Sequence, residues 1–173
     1  ETDITPEIVD WIDPDQYPTF PGGAEDYIYT KLTPPYRTAN QPMVSTSELL
    51  SLNSVDTYIY KTLKPFVTAL PVKTRINVNT ADSIILLSLD NGMTKNDVQR
   101  LIIERVPSGF SDIPSSFKSL LLPKNLTNIS NNSNYFQLKL MIRIDTVTMT
   151  MFSSIRRDQN GNTSILMRSF GAT

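Results

Sequence analysis

Residues 135–151 read YFQLKLMIRIDTVTMTM, and the spacing of their apolar side chains decides the fold class. Apolar residues occupy every even position from Phe136 to Ile144, and the residues between them are mostly polar. This period of two predicts a β-strand that buries one face. From Val147 onward the apolar positions are odd, so we predict a tight turn or a bulge near Asp145.

A second turn signal follows this strand pair. The sequence DQNGN at 158–162 contains Asn160-Gly161, the dipeptide most typical of a two-residue hairpin, and SILMRSF at 164–170 follows it. The C-terminal region is therefore predicted to be a three-stranded antiparallel meander. Three strands with one apolar face need a cover. We expect the helical part, or a segment outside this chain, to supply that cover.

The region before residue 125 carries the signals of short helices. A hydroxyl side chain precedes several apolar segments of helical spacing and predicts an N-cap there. The predicted caps are Ser45 (with Glu48 completing a capping box), Ser54, Thr80 and Thr94. The predicted helical pieces are 6–12, 48–52, 55–64, 65–70, 81–89, 95–105 and 114–121. The sequence thus predicts an α+β chain, with a helical region over 1–124 and the β-meander over 125–173.

The charge of the chain is concentrated at one end. Residues 1–30 hold eight acidic residues and no base, although the net charge of the whole chain is −1. Most of these acids lie in DWIDPDQYPTFPGGAEDYIY, 10–29, where three prolines and two adjacent glycines disfavour a regular helix or strand. Carboxylates confined in one loop repel one another unless a cation neutralises them.

The ligand chemistry of this loop is that of a hard cation. Oxygen donors without sulfur or imidazole suit Ca²⁺, which accepts six to eight oxygens in irregular geometry. The candidate ligands are Asp13, Asp15, Glu25 and Asp26, with Asp10 nearby. The spacing is not that of an EF-hand. The alternative is a solvated acidic loop whose aspartates cap helix ends.

Several classes of function are disfavoured by composition. The chain has no cysteine and no histidine, which removes zinc–thiolate sites and the commonest general base. It has no nucleophile elbow, phosphate-binding loop or zinc-protease motif. No apolar run is long enough to span a membrane. We therefore expect a protein that is not an enzyme, and we rank hydrolysis by paired carboxylates well below that.

Residues 76–110 offer a different hypothesis, a helix-hairpin-helix module that binds nucleic acid. Such modules bind DNA backbones through a glycine-rich hairpin and helix N-termini. Here the hairpin, LDNGMT at 89–94, has one glycine and an aspartate, with only Lys95 close by. The competing interpretation is a structural helix pair in which Asn77 and Asn79 bind loop backbone groups, and we favour it.

The order of the motifs resembles one known family. Five segments carry the resemblance: DWIDPDQYPTFPGGAEDYIY (10–29), PPYRTANQPMVSTSELL (34–50), KPFVTALPVKTRINVNTADSIILLSL (64–89), SNYFQLKLMIRI (133–144) and ILMRSFG (165–171). They are similar to segments of the K component of the type II secretion system, the largest minor pseudopilin. The resemblance implies a pilin-like antiparallel sheet with a large inserted helical domain. This chain would be its C-terminal portion, and an N-terminal hydrophobic helix and the first half of the helical domain would lie outside it.

The resemblance also implies a role, partners and an ion. Family members join the I and J minor pseudopilins in a heterotrimeric complex at the pseudopilus tip, and that complex supports the export of folded proteins across the outer membrane. The major pseudopilin and the secreted proteins are further expected partners. The expected location is the inner membrane, with the soluble domain in the periplasm. Calcium is the expected ion, and its implied ligands are Asp13, Asp15, Glu25, Asp26 and, from the TANQPM string, Asn40.

Overall fold

The computed structural model describes residues 3–70 and 74–171, and the chain divides into two compact units, Glu1–Thr74 and Arg75–Thr173. This division differs from the one drawn at residue 124 from the sequence, which stays a prediction about domain organisation. Helices occur in both units and an antiparallel sheet ends the second, so the α+β class is confirmed. Among the residues described, no helix has both the length and the apolar character needed to cross a membrane.

The first unit is built from short helices joined by long loops. Its elements are α1 (Thr5–Ile12), α2 (Asp26–Tyr29), a 3₁₀ helix (Thr46–Ser51) and α3 (Thr57–Leu63). The capping box of Ser45 and Glu48 is confirmed, although the helix it begins is of the 3₁₀ type.

Two predictions in this unit are wrong. Asp56 rather than Ser54 caps α3, because the backbone N–H and the hydroxyl of Ser54 both donate to the buried carboxylate of Glu7. No helix forms over 65–70, since the chain makes only a turn after α3 and then runs without regular structure.

Aromatic rings form much of the core of the first unit. Tyr29 is fully buried, meets Trp11 edge-on at 5.5 Å between centroids, and stacks on Tyr36 at 5.4 Å. The buried apolar residues are Trp11, Ala24, Tyr29, Leu49, Leu52, Val55 and Tyr60. This core fixes the proline-rich loop between α2 and the 3₁₀ helix without hydrogen-bonded secondary structure.

The second unit begins with a helical layer. Its elements are β1 (Ile76–Asn77), α4 (Ser83–Leu87), α5 (Lys95–Arg105), α6 (Ser115–Leu120), α7 (Pro123–Leu126) and β2 (Ile129–Ser130). Strands β1 and β2 pair in parallel. Thr94 caps α5 as predicted, but Asp82 rather than Thr80 caps α4. The buried core is formed by Val78, Ala81, Leu86, Leu89, Met93, Val98, Leu101, Phe117, Leu121 and Ile129.

The second unit ends in the predicted three-stranded antiparallel meander, in the order β3–β4–β5. The strands are β3 (Tyr135–Ile144), β4 (Val147–Arg157) and β5 (Thr163–Phe170). Asp145, at φ 55°, lies in the turn between β3 and β4 and accounts for the change of parity. Gly161, at φ 85°, lies in the second turn, where a side chain would strain the backbone.

Candidate metal centre

The acidic loop is anchored to α1 by a buried aspartate. Asp10 is completely buried and accepts the backbone N–H of Thr19 at 2.9 and 3.2 Å from its two carboxylate oxygens. Gly23 closes the turn by donating its N–H to the Thr19 carbonyl at 2.8 Å. A Cβ on Gly23 would overlap the Asp10 carboxylate, so the glycine is required by this close approach rather than by an ion.

Three of the predicted ligands converge beside this anchor. Asp13 is the C-cap residue that follows α1, Asp15 lies two residues further on, and Glu25 immediately precedes α2. One carboxylate oxygen from each lies within 4.8 Å of the other two. Asp15 also accepts the N–H of Tyr17 at 2.8 Å. This hydrogen bond orders the backbone that runs from Asp13 and Asp15 to the turn closed by Gly23.

The electrostatics of the cluster are unfavourable without a cation. Glu25 is 1% exposed, and burial together with the charges of Asp10, Asp13 and Asp15 raises its pKa from 4.5 to about 7. The pKa of Asp13 is also raised, first by burial and then by Asp15 and Asp10. Among the described residues, Oδ1 of Asp13 and Oε1 of Glu25 are buried with no hydrogen-bond partner. Buried carboxylate oxygens without donors are rare in folded proteins.

The other two predicted ligands lie at the margin of the cluster. Asp26 accepts the N–H of Thr38 at 3.0 Å and forms an ion pair with Arg37 at 2.9 Å. Asn40, held at φ 48°, is 2.8 Å from the Thr38 hydroxyl. Neither residue belongs to the group of three converging carboxylates, and their role as ligands stays a prediction.

Thr38 links both sets and was not foreseen from the sequence. Its hydroxyl lies 3.4 Å from Glu25, 3.1 Å from Asp26 and 2.8 Å from Asn40, but a hydroxyl has one proton to donate. Several acceptor oxygens therefore compete for a single donor. The only signal in the sequence was its place in the TANQPM string.

These observations fit a hard divalent cation. Three carboxylates offer up to six oxygens, the buried oxygens of Asp13 and Glu25 lack donors, and no nitrogen or sulfur ligand takes part. A cation of Ca²⁺ type takes such ligands in irregular geometry. The residues present are therefore able to hold one.

The helix pair of residues 76–110 shows a structural role for its asparagines. Asn79 donates to the carbonyls of Phe110 and Asn131, each at 2.9 Å, and accepts the Phe110 N–H at 2.7 Å. Asn77 accepts the N–H of Asn79 at 2.9 Å. The Asp90 carboxylate occupies the loop between α4 and α5, where it accepts the N–H of Gly92 at 3.1 Å. A carboxylate in that loop opposes the binding of a phosphate.

Comparison with known proteins gives a consistent set of relatives. Family models described as type II secretion system protein K match residues 1–72 and 76–139. The type II secretion system protein K of Pectobacterium carotovorum subsp. carotovorum is 39% identical over 151 residues, covering 82% of this chain and 46% of the relative. The type II secretion system protein K of Pseudomonas aeruginosa is 32% identical over 172 residues, covering 95% of this chain and 50% of the relative.

A solved structure matches almost the whole chain. It is a chain in the crystal structure of the GspK-GspI-GspJ complex from the enterotoxigenic Escherichia coli type 2 secretion system. The TM-score is 0.82 at 28% identity, and the match covers 98% of this chain and 63% of that one. The chain thus spans about half the length of the curated relatives it matches.

Proposed function

The chain belongs to the type II secretion system protein K family, and from this premise we propose that it acts as a minor pseudopilin in a tip complex with the I and J minor pseudopilins. In this role it supports the export of folded proteins across the outer membrane. It acts by assembly and not by catalysis. Its soluble domain lies in the periplasm, and an N-terminal hydrophobic helix of the full-length protein anchors it in the inner membrane.

The observation that carries the proposal is the match over 98% of the chain to a chain of the GspK-GspI-GspJ complex, at a TM-score of 0.82. The fold, with its two compact units and its terminal meander, agrees with membership of the protein K family. No arrangement in the described residues favours nucleic acid, and the Asp90 carboxylate in the helix-pair loop counts against it.

A pull-down tests this assignment. The full-length protein, tagged and expressed with the I and J subunits of the same secretion system, is expected to retain both. A major pseudopilin that lacks the tip function serves as the control bait. Retention of neither subunit would refute the assignment.

We also propose that the acidic loop binds calcium through Asp13, Asp15 and Glu25. When bound, the ion neutralises the three carboxylates and links the end of α1 to the residue before α2. Support comes from the convergence of the three carboxylates and from the buried oxygens without donors. The chain's own part is to fix the loop, which Asp10 does through Thr19.

Thermal unfolding with and without a chelator tests the calcium proposal. Calcium at a hundred times its Kd is expected to add about 2.7 kcal/mol, or roughly 5–10 °C in Tm for a chain of this size. Magnesium serves as the comparison ion, since its octahedral preference suits an irregular loop poorly. An unchanged Tm in chelator and in calcium would refute the site.

A further inference from the structure

One face of the terminal sheet sets apolar side chains among bases and hydroxyl groups. Odd-numbered residues of β3 pair with even-numbered residues of β4, so these two sets lie on the same face. The β5 residues that pair with the same β4 positions complete this face. We call it the mixed face, and it is formed by the odd positions of 135–143, the even positions of 148–156, and positions 164, 167 and 169.

Three apolar residues cross the mixed face as a diagonal band. Phe152, on the central strand, lies opposite Lys139 on β3 and Ser169 on β5. Met141 follows Lys139 by two residues, so it is a diagonal neighbour of Phe152 on one side. Met167 precedes Ser169 by two residues and is the diagonal neighbour on the other side. Diagonal neighbours are about 7–8 Å apart, a distance that long and aromatic side chains span. Met141 and Met167 are 60% and 47% exposed, so both ends of the band are open to solvent.

Each part of this band has a base beside it. The ammonium of Lys139 lies 5.6 Å from the centre of the Phe152 ring. Arg143 lies two residues beyond one end of the band on β3, and Arg156 is a diagonal neighbour of the methionine at the other end. The three strands contain no acidic residue, and the acids of this region lie in the two turns. No ion pair within residues 3–70 and 74–171 involves these three bases. The mixed face is therefore positively charged.

The size and polarity of the mixed face suit a transient partner. Three strands about 4.8 Å apart and about 33 Å long present roughly 300–400 Å², whereas a stable interface buries about 800 Å² on each partner. Hydroxyl side chains occupy much of the remaining area, as at Thr148, Thr150 and Ser154. Interfaces between permanent subunits are larger and more apolar than this.

The methionines and the bases define the chemistry of that partner. Methionine is unbranched and flexible, so Met141 and Met167 can repack against surfaces of different shape. Surfaces built in this way accept more than one partner. The surrounding bases favour a negatively charged surface and speed its encounter with the face. The expected partner is thus a folded protein that presents an apolar side chain among carboxylates, and several such proteins can share the face.

We propose that the mixed face is the surface on which exported folded proteins contact this subunit. The inference rests on the export role proposed above, and it adds the surface that is used and the charge of the proteins bound. Subunits of a tip complex stay bound to one another, but an exported protein has to be released. A small, adaptable and charged face meets that requirement, and one such face serves several exported proteins.

A direct binding measurement tests the proposal. The probe is a folded, purified protein of acidic net charge that the same secretion system exports. Its Kd is measured by surface plasmon resonance on the full-length protein alone and on the complex of that protein with the I and J subunits. Wild type is expected to bind in both forms and to lose at least about fivefold in affinity between about 50 and 300 mM salt. Lys139→Glu combined with Arg156→Glu is expected to weaken binding at least about tenfold, and Met141→Ser about threefold.

Matched substitutions outside the sheet serve as controls. Lys118→Glu, at an exposed position of α6, and Ile103→Ser, at a position of α5 that is 64% exposed, are expected to bind the probe as wild type does. The salt dependence needs no variant, so it is independent of how well the substituted proteins fold.

Four results would overturn the proposal. They are a wild-type protein that does not bind the probe, binding that ignores salt, face variants that bind the probe as tightly as wild type, and face variants that lose the I and J subunits by the same factor. In the last case the face is a subunit interface. Phosphatidylglycerol vesicles are the comparison ligand, and variants that lose the vesicles but keep the probe would also overturn it. Assembly with I and J is measured separately, so failure of wild type to assemble refutes the tip role and leaves the probe result on the protein alone to decide this inference.

Discussion

Replacing Glu25 with glutamine is expected to change the stability of the ion-free and the calcium-loaded protein in opposite directions. The carboxylate is 1% exposed and has its pKa raised from 4.5 to about 7. A raised pKa means that the folded state binds the proton more tightly than the unfolded state does. The ion-free protein therefore loses stability as the pH rises from about 4.5 to about 7, and the full penalty is present above that range.

The size of this penalty follows from the shift. At about 1.4 kcal/mol per pKa unit, it is on the order of 3 kcal/mol above pH 7. In chelator at pH 8, Glu25→Gln is thus expected to be more stable than wild type by an amount of this order, with the difference vanishing at pH 4.5. In saturating calcium the order reverses, because the variant lacks a charged ligand.

Chemical denaturation followed by circular dichroism, in chelator and in calcium at both pH values, measures these differences. Glu104→Gln, the same change at an exposed position of α5, is the matched control and should follow wild type throughout. Equal stabilities of Glu25→Gln and wild type in chelator at pH 8 would show that the cluster carries no electrostatic strain. An undiminished gain from calcium in the variant would show that Glu25 is not a ligand.

Three further substitutions test the packing around the sites. Gly23→Ala places a methyl group on the Asp10 carboxylate, so it should cost more than about 2 kcal/mol of stability and abolish the response to calcium. The control is Gly92→Ala, where the added Cβ has 3.6 Å of clearance. Its loss of stability in the same denaturation assay should stay within about 1 kcal/mol. Asn79→Ala removes three hydrogen bonds and should cost about 2–4 kcal/mol of stability in urea unfolding. The control is Asn91→Ala at an exposed position, and an equally small loss in both variants would contradict the structural role of Asn79. Asp90→Asn should lower Tm at pH 7, because hydrogen bonds from Leu122, Gly92 and Asn125 lower the pKa of the Asp90 carboxyl. The stabilisation that comes with this lowered pKa is present above the usual value of 3.8 and is lost as the pH falls through the pKa of the folded state. A Tm difference between the variant and wild type that persists unchanged at pH 2 would contradict this cause.

The sheet was predictable because its signals are local. Each signal is visible in the sequence within a few residues. The signals are the alternation from Phe136 to Ile144, the change of parity at Asp145 and the Asn160-Gly161 turn. The capping box at Ser45 and the N-cap at Thr94 are local in the same sense, and both are present.

The predicted start of α3 was wrong because a distant residue binds the capping side chain. Ser54 and Asp56 are both good N-caps two residues apart, and no local rule separates them. The choice depends on Glu7, which lies 47 residues earlier and binds both the N–H and the hydroxyl of Ser54.

The candidate site was predictable in its chemistry but not in its geometry. The density of carboxylates and the absence of other ligand types are properties of composition. Which carboxylates converge depends on the path of the loop, which Asp10 and Gly23 set through tertiary contacts. Asp26 is adjacent to Glu25 in sequence, yet its carboxylate pairs with Arg37 and binds Thr38.

Reconstitution of the tip complex tests the central proposal most directly. The purified full-length protein is mixed with the I and J subunits of its own secretion system, and the mass of the product is measured by light scattering after size-exclusion chromatography. We predict a single ternary species containing one copy of each subunit. Elution of an I–J species with this protein in a separate peak would contradict the proposed function.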